Sequence, residues 1–199
     1  FLTMLGIIIG VASVIAMLAI GQGSKENIQS SISSLGINSI MVVPGSLNTG
    51  GVHTEAGAAQ TLKREDAEAI ARHCENVIYV SPVVQKGSQA IAGTENWRTA
   101  VLGVFEDYFH IRSLNVTSGI GFTASDDRAA AKVCVIGQTV SDNLFGENTD
   151  PVGKFIRINR IPFKVIGLLE KKGQNTFGQD QDDIILAPFA TVQKRMLST

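Results

Sequence analysis

The sequence predicts an α+β protein made of one long apolar helix followed by a domain of hairpins and short helices. Three observations lead there. Phe1 to Gly21 reads FLTMLGIIIGVASVIAMLAIG with no charged side chain. Pairs of short β-branched runs are separated by Gly- and Asn-containing turns, the signature of hairpins. Short helical stretches fall between these runs without the regular alternation that builds a doubly wound parallel sheet.

The 199 residues are enough for one sizeable domain or two small lobes. Charged residues make up only 18% and hydrophobic ones 44%, against roughly 25% charged in an average globular chain. The dilution is local: nothing before Lys25 is charged, and nothing between Glu26 and Glu55 is either. The net charge of −1 leaves no basic footprint for nucleic acid.

An uncharged apolar stretch of this length can cross a hydrocarbon core of about 30 Å at 1.5 Å per residue, so 1–23 is assigned as a transmembrane helix. A cleaved signal peptide would need a basic n-region and a small-residue cleavage site, and both patterns are weak here. Gly6 and Gly10 form a Gly-x-x-x-Gly pair, and Ala12 with Ala16 repeats the small-xxx-small spacing. In lipid, small residues let helix backbones approach closely, which makes these four the candidate helix-packing residues.

Beyond the membrane, Ile28, Ile32 and Leu35 keep helical spacing up to Gly36, a natural C′ glycine. The first helix is therefore expected to leave the membrane as a stalk. Ile37 to Val43 reads as a strand ended by Pro44-Gly45, and Ser46 to Gln60 as a mobile, glycine-rich loop. Thr61 can cap a helix from Leu62 to about His73, with Leu62, Ala67, Ile70 and Ala71 available for burial. Val77 to Val84 reads as a strand bent at Pro82. Gly87 to Ala92 and Trp97 to Val104 form a hairpin across Gly93 to Asn96. Glu106 to Ile111 is a short helix, Lys132 to Ile136 a strand, and Gln138 to Leu144 a helix. Phe155 to Ile158 pairs with Phe163 to Leu168, and a strand at Ile184 to Leu186 leads through Pro188 into a helix reaching Leu197. The apolar run is already under way at Phe1, so the sequence reads as part of a longer chain.

No catalytic pattern emerges. Gly153-Lys154 has Asn148 and Phe155 where a phosphate-binding loop needs its outer glycine and hydroxyl. Gly119-Ile120-Gly121 reads as turn glycine, and no Gly-x-Ser-x-Gly elbow occurs. His53, His73 and His110 lack metal-ligand partners at helical spacing. Cys74 and Cys134 show no framework spacing, although an oxidising compartment would permit them to pair. Asp180, Asp182 and Asp183 lack the further ligands of a calcium loop and read as solvated. The chain is thus expected to hold no cofactor, no metal and no enzyme site.

The opening LTMLGIIIGVASVIAMLAIGQGS resembles the first membrane helix of permeases in the MacB family of ABC transporters. The resemblance continues through LGINSIMVVPG, TLKREDAEAI, VSPVV, VLGVFEDYF, KVCVIGQTV, LFGENTDPVGKFIRI, FKVIGLL and DDIILAP, covering essentially the whole chain in order. It implies an extracytoplasmic domain with two lobes, anchored in a bacterial inner membrane. On that pattern 24–84 is stalk and the first part of a membrane-proximal porter-like lobe. Residues 85–183 are mostly a sabre-like lobe, and 184–199 re-enter the porter-like lobe. The resemblance implies a permease that works as a dimer, with ATP and Mg bound at an associated ABC ATPase domain. A MacA-type periplasmic adaptor and a TolC-type outer-membrane channel are the implied partners, besides membrane lipid. The family also contains lipoprotein-releasing LolC and LolE and, more distantly, the cell-division FtsX type, which keeps an extracytoplasmic signalling or lipoprotein-releasing module as the alternative. Phe177, an apolar residue among polar ones in the Gly173 to Asp180 loop, is the candidate partner contact on the membrane-distal surface.

Overall fold

A computed structural model describes residues 2–34, 39–44, 48–49, 52–53, 62–175 and 178–197. The chain divides into two units, Phe1–Ser39 and Ile40–Thr199. The first contains the helix α1 (Leu2–Ser34), of 33 residues. That is about 50 Å at 1.5 Å per residue. With no proline in the run, no backbone donor is lost along it. Ser13 directs its hydroxyl to the Ile9 carbonyl at 2.6 Å, which satisfies a polar group on an otherwise apolar surface.

The strand expected at Ile37 to Val43 does not form in its described part. Residues 39–44 carry no regular structure, and Ile40, Met41, Val42 and Val43 are all exposed. A strand needs a neighbour to accept its ladder, and no described strand pairs with this run. Within the stretch read as a loop, β1 (Asn48–Thr49) and β2 (Val52–His53) pair as a small antiparallel ribbon. The rest of that stretch, including its expected mobility, lies outside the described residues.

Helix α2 (Arg64–His73) starts two residues later than expected, with Lys63 at the cap. Its start is fixed by Asp66, whose carboxylate accepts the Lys63 N–H at 2.8 Å; Thr61 is outside the described residues. None of α2 is fully buried, so the anticipated apolar face is at most half-covered. Val77 to Pro82 forms no strand. Pro82 has no N–H to give a ladder, and the Val80 N–H is held instead by the Asp107 carboxylate at 3.2 Å.

From there the chain builds a seven-stranded sheet. β3 (Val83–Ala92) and β4 (Glu95–Val104) form a ten-residue hairpin closed by Gly93-Thr94, a turn tighter than the four residues expected. After β4 come α3 (Asp107–Ile111), β5 (Val116–Gly119) and α4 (Ala124–Arg128). β6 (Val133–Ile136) runs directly into α5 (Gln138–Phe145). β7 (Phe155–Ile158) and β8 (Ile161–Leu169) form a second hairpin whose turn residues, Asn159 and Arg160, both have positive φ, as a type I′ turn requires. β9 (Ile184–Pro188) leads into α6 (Phe189–Val192), which continues as a π-helical turn, Gln193–Leu197.

The strand order is β5-β8-β6-β9-β4-β3-β7, and β7 also pairs with β8. That last pairing closes six strands into a ring, with Lys164 of β8 the seam: it lies opposite Phe155 on one side and Val133 on the other. The ring mixes parallel pairs (β4 with β9, β6 with β8) and antiparallel ones. Every one of the six strands sends side chains into one buried cluster, including Ala90, Val101, Cys134, Ile156, Phe163 and Ile185. α5 fills its interior with Val140 and Leu144, and the last helix adds Val192 and Met196. Outside the ring a second cluster gathers Leu102, Val104, Phe122, Val135, Leu169 and Leu186, with Tyr108 and Phe109 of α3 packed against it. β6, β9 and the second half of β4 from Ala100 are thus covered on both faces, which explains why they read as continuous apolar runs rather than alternating ones.

A bulge adjusts the faces of β8. Cys134 opposes Val165 but Val135 opposes Gly167, so Ile166 is the extra residue. The skip keeps Val165 and Leu168 at the inner cluster while Ile166 and Leu169 join the outer one. Gly119, with φ +80°, lies against this bulge. A Cβ there would come within 2.1 Å of the Ile166 carbonyl oxygen, so β5 can approach β8 at this point only through glycine.

Candidate membrane-spanning helix and anchored loops

From Leu2 to Gly21, α1 carries no charged side chain and is apolar on every side. Its span Thr3–Lys25 has a mean hydropathy of 2.5, and none of it is buried within the chain. A helix with no polar face and no covering protein surface fits lipid rather than a soluble core. At about 100° per residue, Gly6 and Gly10 share one stripe and Ala12 and Ala16 another, roughly 120° away. Both pairs are exposed, and a Cβ added at Gly6 or Gly10 would meet nothing within 4 Å. Each pair therefore presents a shallow strip along which another backbone can come close. Phe177 lies outside the described residues.

The loop that carries Phe177 is anchored at its base by the acidic cluster. The cluster, expected to be solvated, is so only at Asp180, which is exposed; Asp183 is half-buried and Asp182 buried. Asp182 is 3% exposed and accepts the N–H groups of Lys172 and Gly173, both at 2.8 Å. Asp180 accepts the Thr139 hydroxyl at 2.7 Å and the Asp182 N–H at 2.9 Å. Asp183 accepts the indole N–H of Trp97 at 2.9 Å, while its carbonyl accepts the Thr99 hydroxyl. The three carboxylates thus fasten the loop to α5, to β4 and to itself. Their oxygens point at donors, not at a shared centre. Among the described residues no group of three or more His, Cys, Asp or Glu side chains is placed to hold a metal.

A second buried carboxylate ties three helices together. Asp127 of α4 is 4% exposed. It accepts the Ala190 N–H in the first turn of α6 at 2.7 Å and pairs with the Arg64 guanidinium of α2 at 3.0 Å. Arg64 also binds Glu68 at 2.9 Å and lies 4.9 Å from the centre of the Phe105 ring. Hydrogen bonding to Glu68, with the Asp127 charge added, raises the Arg64 pKa above its ordinary value. Thr191 completes the junction by donating to the Ala131 carbonyl at 2.9 Å. Sequence reasoning missed this junction because its partners are far apart in the chain.

The remaining singled-out residues have structural roles. Gly153 sits in the turn before β7 and donates its N–H to Val165 at 2.8 Å, while Lys154 lies 4.8 Å from the Phe145 ring centre. Cys134 faces the barrel interior and Cys74 is exposed at the end of α2, and both are free. Burial pushes the Cys134 thiol pKa well up. His73 ends α2, His53 lies in β2, and His110 stacks on Tyr79 with ring centres 4.8 Å apart.

Comparison with known proteins places this architecture. The MacB-like periplasmic core domain family matches residues 1–199. The macrolide export ATP-binding/permease protein MacB of Syntrophobacter fumaroxidans is 44% identical over 197 residues, covering 98% of this chain and 27% of that protein. The MacB of Azoarcus sp. is 43% identical over 195 residues, covering 98% and 29%. The chain thus spans under a third of the length of these relatives. Among solved structures, the periplasmic region of MacB from Actinobacillus actinomycetemcomitans superposes with a TM-score of 0.68 at 23% identity. The match covers 83% of this chain and 72% of that one. The extracellular domain of the noncanonic ABC-type transporter YknZ from Gram-positive bacteria gives a TM-score of 0.58 at 23% identity, covering 69% and 67%. The two structures share the fold.

Proposed function

This chain belongs to the MacB-like periplasmic core domain family, and from that premise we propose that it is the membrane anchor and extracytoplasmic domain of a permease subunit in an ATP-driven exporter. In this reading Thr3–Lys25 crosses the inner membrane, and the helix carries on as a stalk. ATP and Mg act at an associated ATPase domain, and the stalk delivers the resulting motion to the barrel domain, which engages a periplasmic adaptor or the substrate. Two permeases pair, with the Gly6/Gly10 and Ala12/Ala16 stripes as helix contacts. An outer-membrane channel completes the export route.

The observation that supports this most directly is the continuity of α1. It runs nine residues beyond Lys25, to Ser34, without a break. A hydrocarbon core of about 30 Å needs only about 20 residues, so the surplus is a rigid extension beyond the membrane. The test inserts four glycines after Gln29 in the full-length transporter, with four alanines as the control. Four alanines preserve the helix and rotate its C-terminal part by only about 40°, whereas four glycines break it. In proteoliposomes the glycine insertion is expected to leave ATP hydrolysis in place and abolish transport, while the alanine insertion transports. Transport by the glycine variant at the wild-type rate would refute stalk transmission. In the same system, unchanged dimerisation after Gly6→Leu with Gly10→Leu would refute the stripe as a contact.

A further inference from the structure

Beside the outer cluster, the segment before β3 and the helix α3 border an open groove of about 390 Å³ that none of the preceding roles uses. Its wall is aromatic. Tyr79 and His110 stack at 4.8 Å with their planes 16° apart, and Phe109 meets Phe122 edge-on with ring centres 5.1 Å apart. Its rim is anionic, formed by Glu106 and Asp107 at the start of α3. No lysine or arginine lines the groove.

Both carboxylates are held in place by the loops they face. Glu106 accepts the Ala124 N–H through Oε2, and Asp107 accepts the Val80 N–H through Oδ2. Glu106 is exposed and Asp107 half-buried, each a side chain whose direction its hydrogen bond fixes. Two oriented negative charges at the rim of a groove lined by aromatic rings, with no lysine or arginine in that lining, form the complement of one ligand chemistry. The ring faces attract positive charge, the carboxylates accept ammonium N–H groups in charge-assisted bonds, and the apolar floor takes an organic body.

We infer that this groove binds an organic cation, an ammonium group carried on an aromatic or aliphatic body. Binding is a property of this chain, so the inference stands or falls apart from the transport reading. Anions are repelled at the rim, and a neutral molecule of the same shape gains only the apolar share of the contact.

The experiment uses the full-length permease in lipid nanodiscs at neutral pH, titrated with 1-naphthylmethylamine and with its neutral counterpart 1-naphthylmethanol. Empty nanodiscs measured alongside remove partition into lipid. The amine is expected to bind saturably, one per chain, and on the order of tenfold more tightly than the alcohol, which corresponds to about 1.4 kcal/mol. Glu106→Gln with Asp107→Asn keeps oxygen acceptors for the Ala124 and Val80 N–H groups. It is expected to reduce amine affinity to that of the alcohol while leaving the alcohol unaffected. Tyr79→Ala is expected to weaken both ligands. The inference is overturned if the amine shows no saturable phase above empty nanodiscs. It is equally overturned if amine and alcohol bind alike to the wild-type protein, or if the double substitution leaves the amine preference intact.

Discussion

Replacing Asp127 by alanine tests whether one buried carboxylate holds the last helix onto the barrel. The substitution removes the acceptor for the Ala190 N–H at 2.7 Å. Ala190 is only 3% exposed, so its donor is left without water, at a cost of about 1–3 kcal/mol. The ion pair adds less. The Arg64 side chain is 29% exposed and keeps Glu68 at 2.9 Å, which limits the lost pairing to about 1 kcal/mol or less. The expected total is about 2–3 kcal/mol, or about 30- to 150-fold in the opening equilibrium of α6. Amide hydrogen exchange on the full-length protein reads this locally. Peptides covering Phe189–Val192 should lose protection by that factor in Asp127→Ala while those covering β6 hold theirs. Asp127→Asn retains an acceptor for Ala190 and should lose about tenfold or less, and Arg64→Met should be milder still because the Ala190 bond remains. If Asp127→Ala exchanged within about twofold of wild type at α6, the carboxylate would not be what anchors the helix.

The packed interior supplies two more tests. A Cβ at Gly103 would come within 2.7 Å of both Val192 Cβ and Val84 Cγ2. Gly103→Ala is therefore expected to destabilise the domain by about 1–3 kcal/mol, with partial recovery in combination with Val192→Ala, read as a double-mutant cycle in chemical denaturation. Cys134 keeps its proton in the folded barrel to a higher pH than in the unfolded chain. Its share of stability is fully present below the ordinary thiol value of about 8.5 and is lost as pH rises above it. The stability difference between wild type and Cys134→Ala should hold constant from pH 6 to 8 and shift against the wild type from pH 8.5 to 10; a flat difference across the whole range would contradict the burial of this thiol.

The parts of the fold legible in the sequence are those whose signal is local. α1 is selected by composition alone. The β3–β4 and β7–β8 hairpins announce themselves through Gly93 and through Asn159, residues that tolerate positive φ. β6 and α5 adjoin at Gly137, with an apolar run on one side and helical spacing on the other. β5 and α4 escaped notice because β5 is four residues with a polar centre and α4 has no apolar face. A signal for α4 was nonetheless there: Thr123 and Asp126 have the spacing of a capping box, and the Thr123 N–H does donate to Asp126 at 2.8 Å. In the opposite direction, the β-branched content of Ile40 to Val43 predicted a strand that the described residues do not pair. Propensity reports suitability for a pleated surface, not the presence of a neighbour.

What composition cannot carry is partnership over distance, and the carboxylates show why. Asp182 stands in a stretch that reads as solvated loop and Asp127 in one with no apolar pattern, yet both are almost fully buried. Burying a carboxylate is tolerated only where donors converge on it. The donors of Asp127 are the Arg64 guanidinium and a backbone N–H 63 residues away; those of Asp182 are two consecutive backbone N–H groups. Backbone donors leave no trace in residue identity, so no motif search could pair them. Once the β4–β9 and β6–β9 ladders are formed, however, Asp182 and Asp183 have to lie at the entrance to β9. There Trp97 and Thr99, on the strand beside it, come within reach of Asp183. The acidic run lies where β9 enters the sheet, and its carboxylates accept the backbone N–H groups of Lys172, Gly173 and Asp182, the Trp97 indole N–H and the Thr139 hydroxyl.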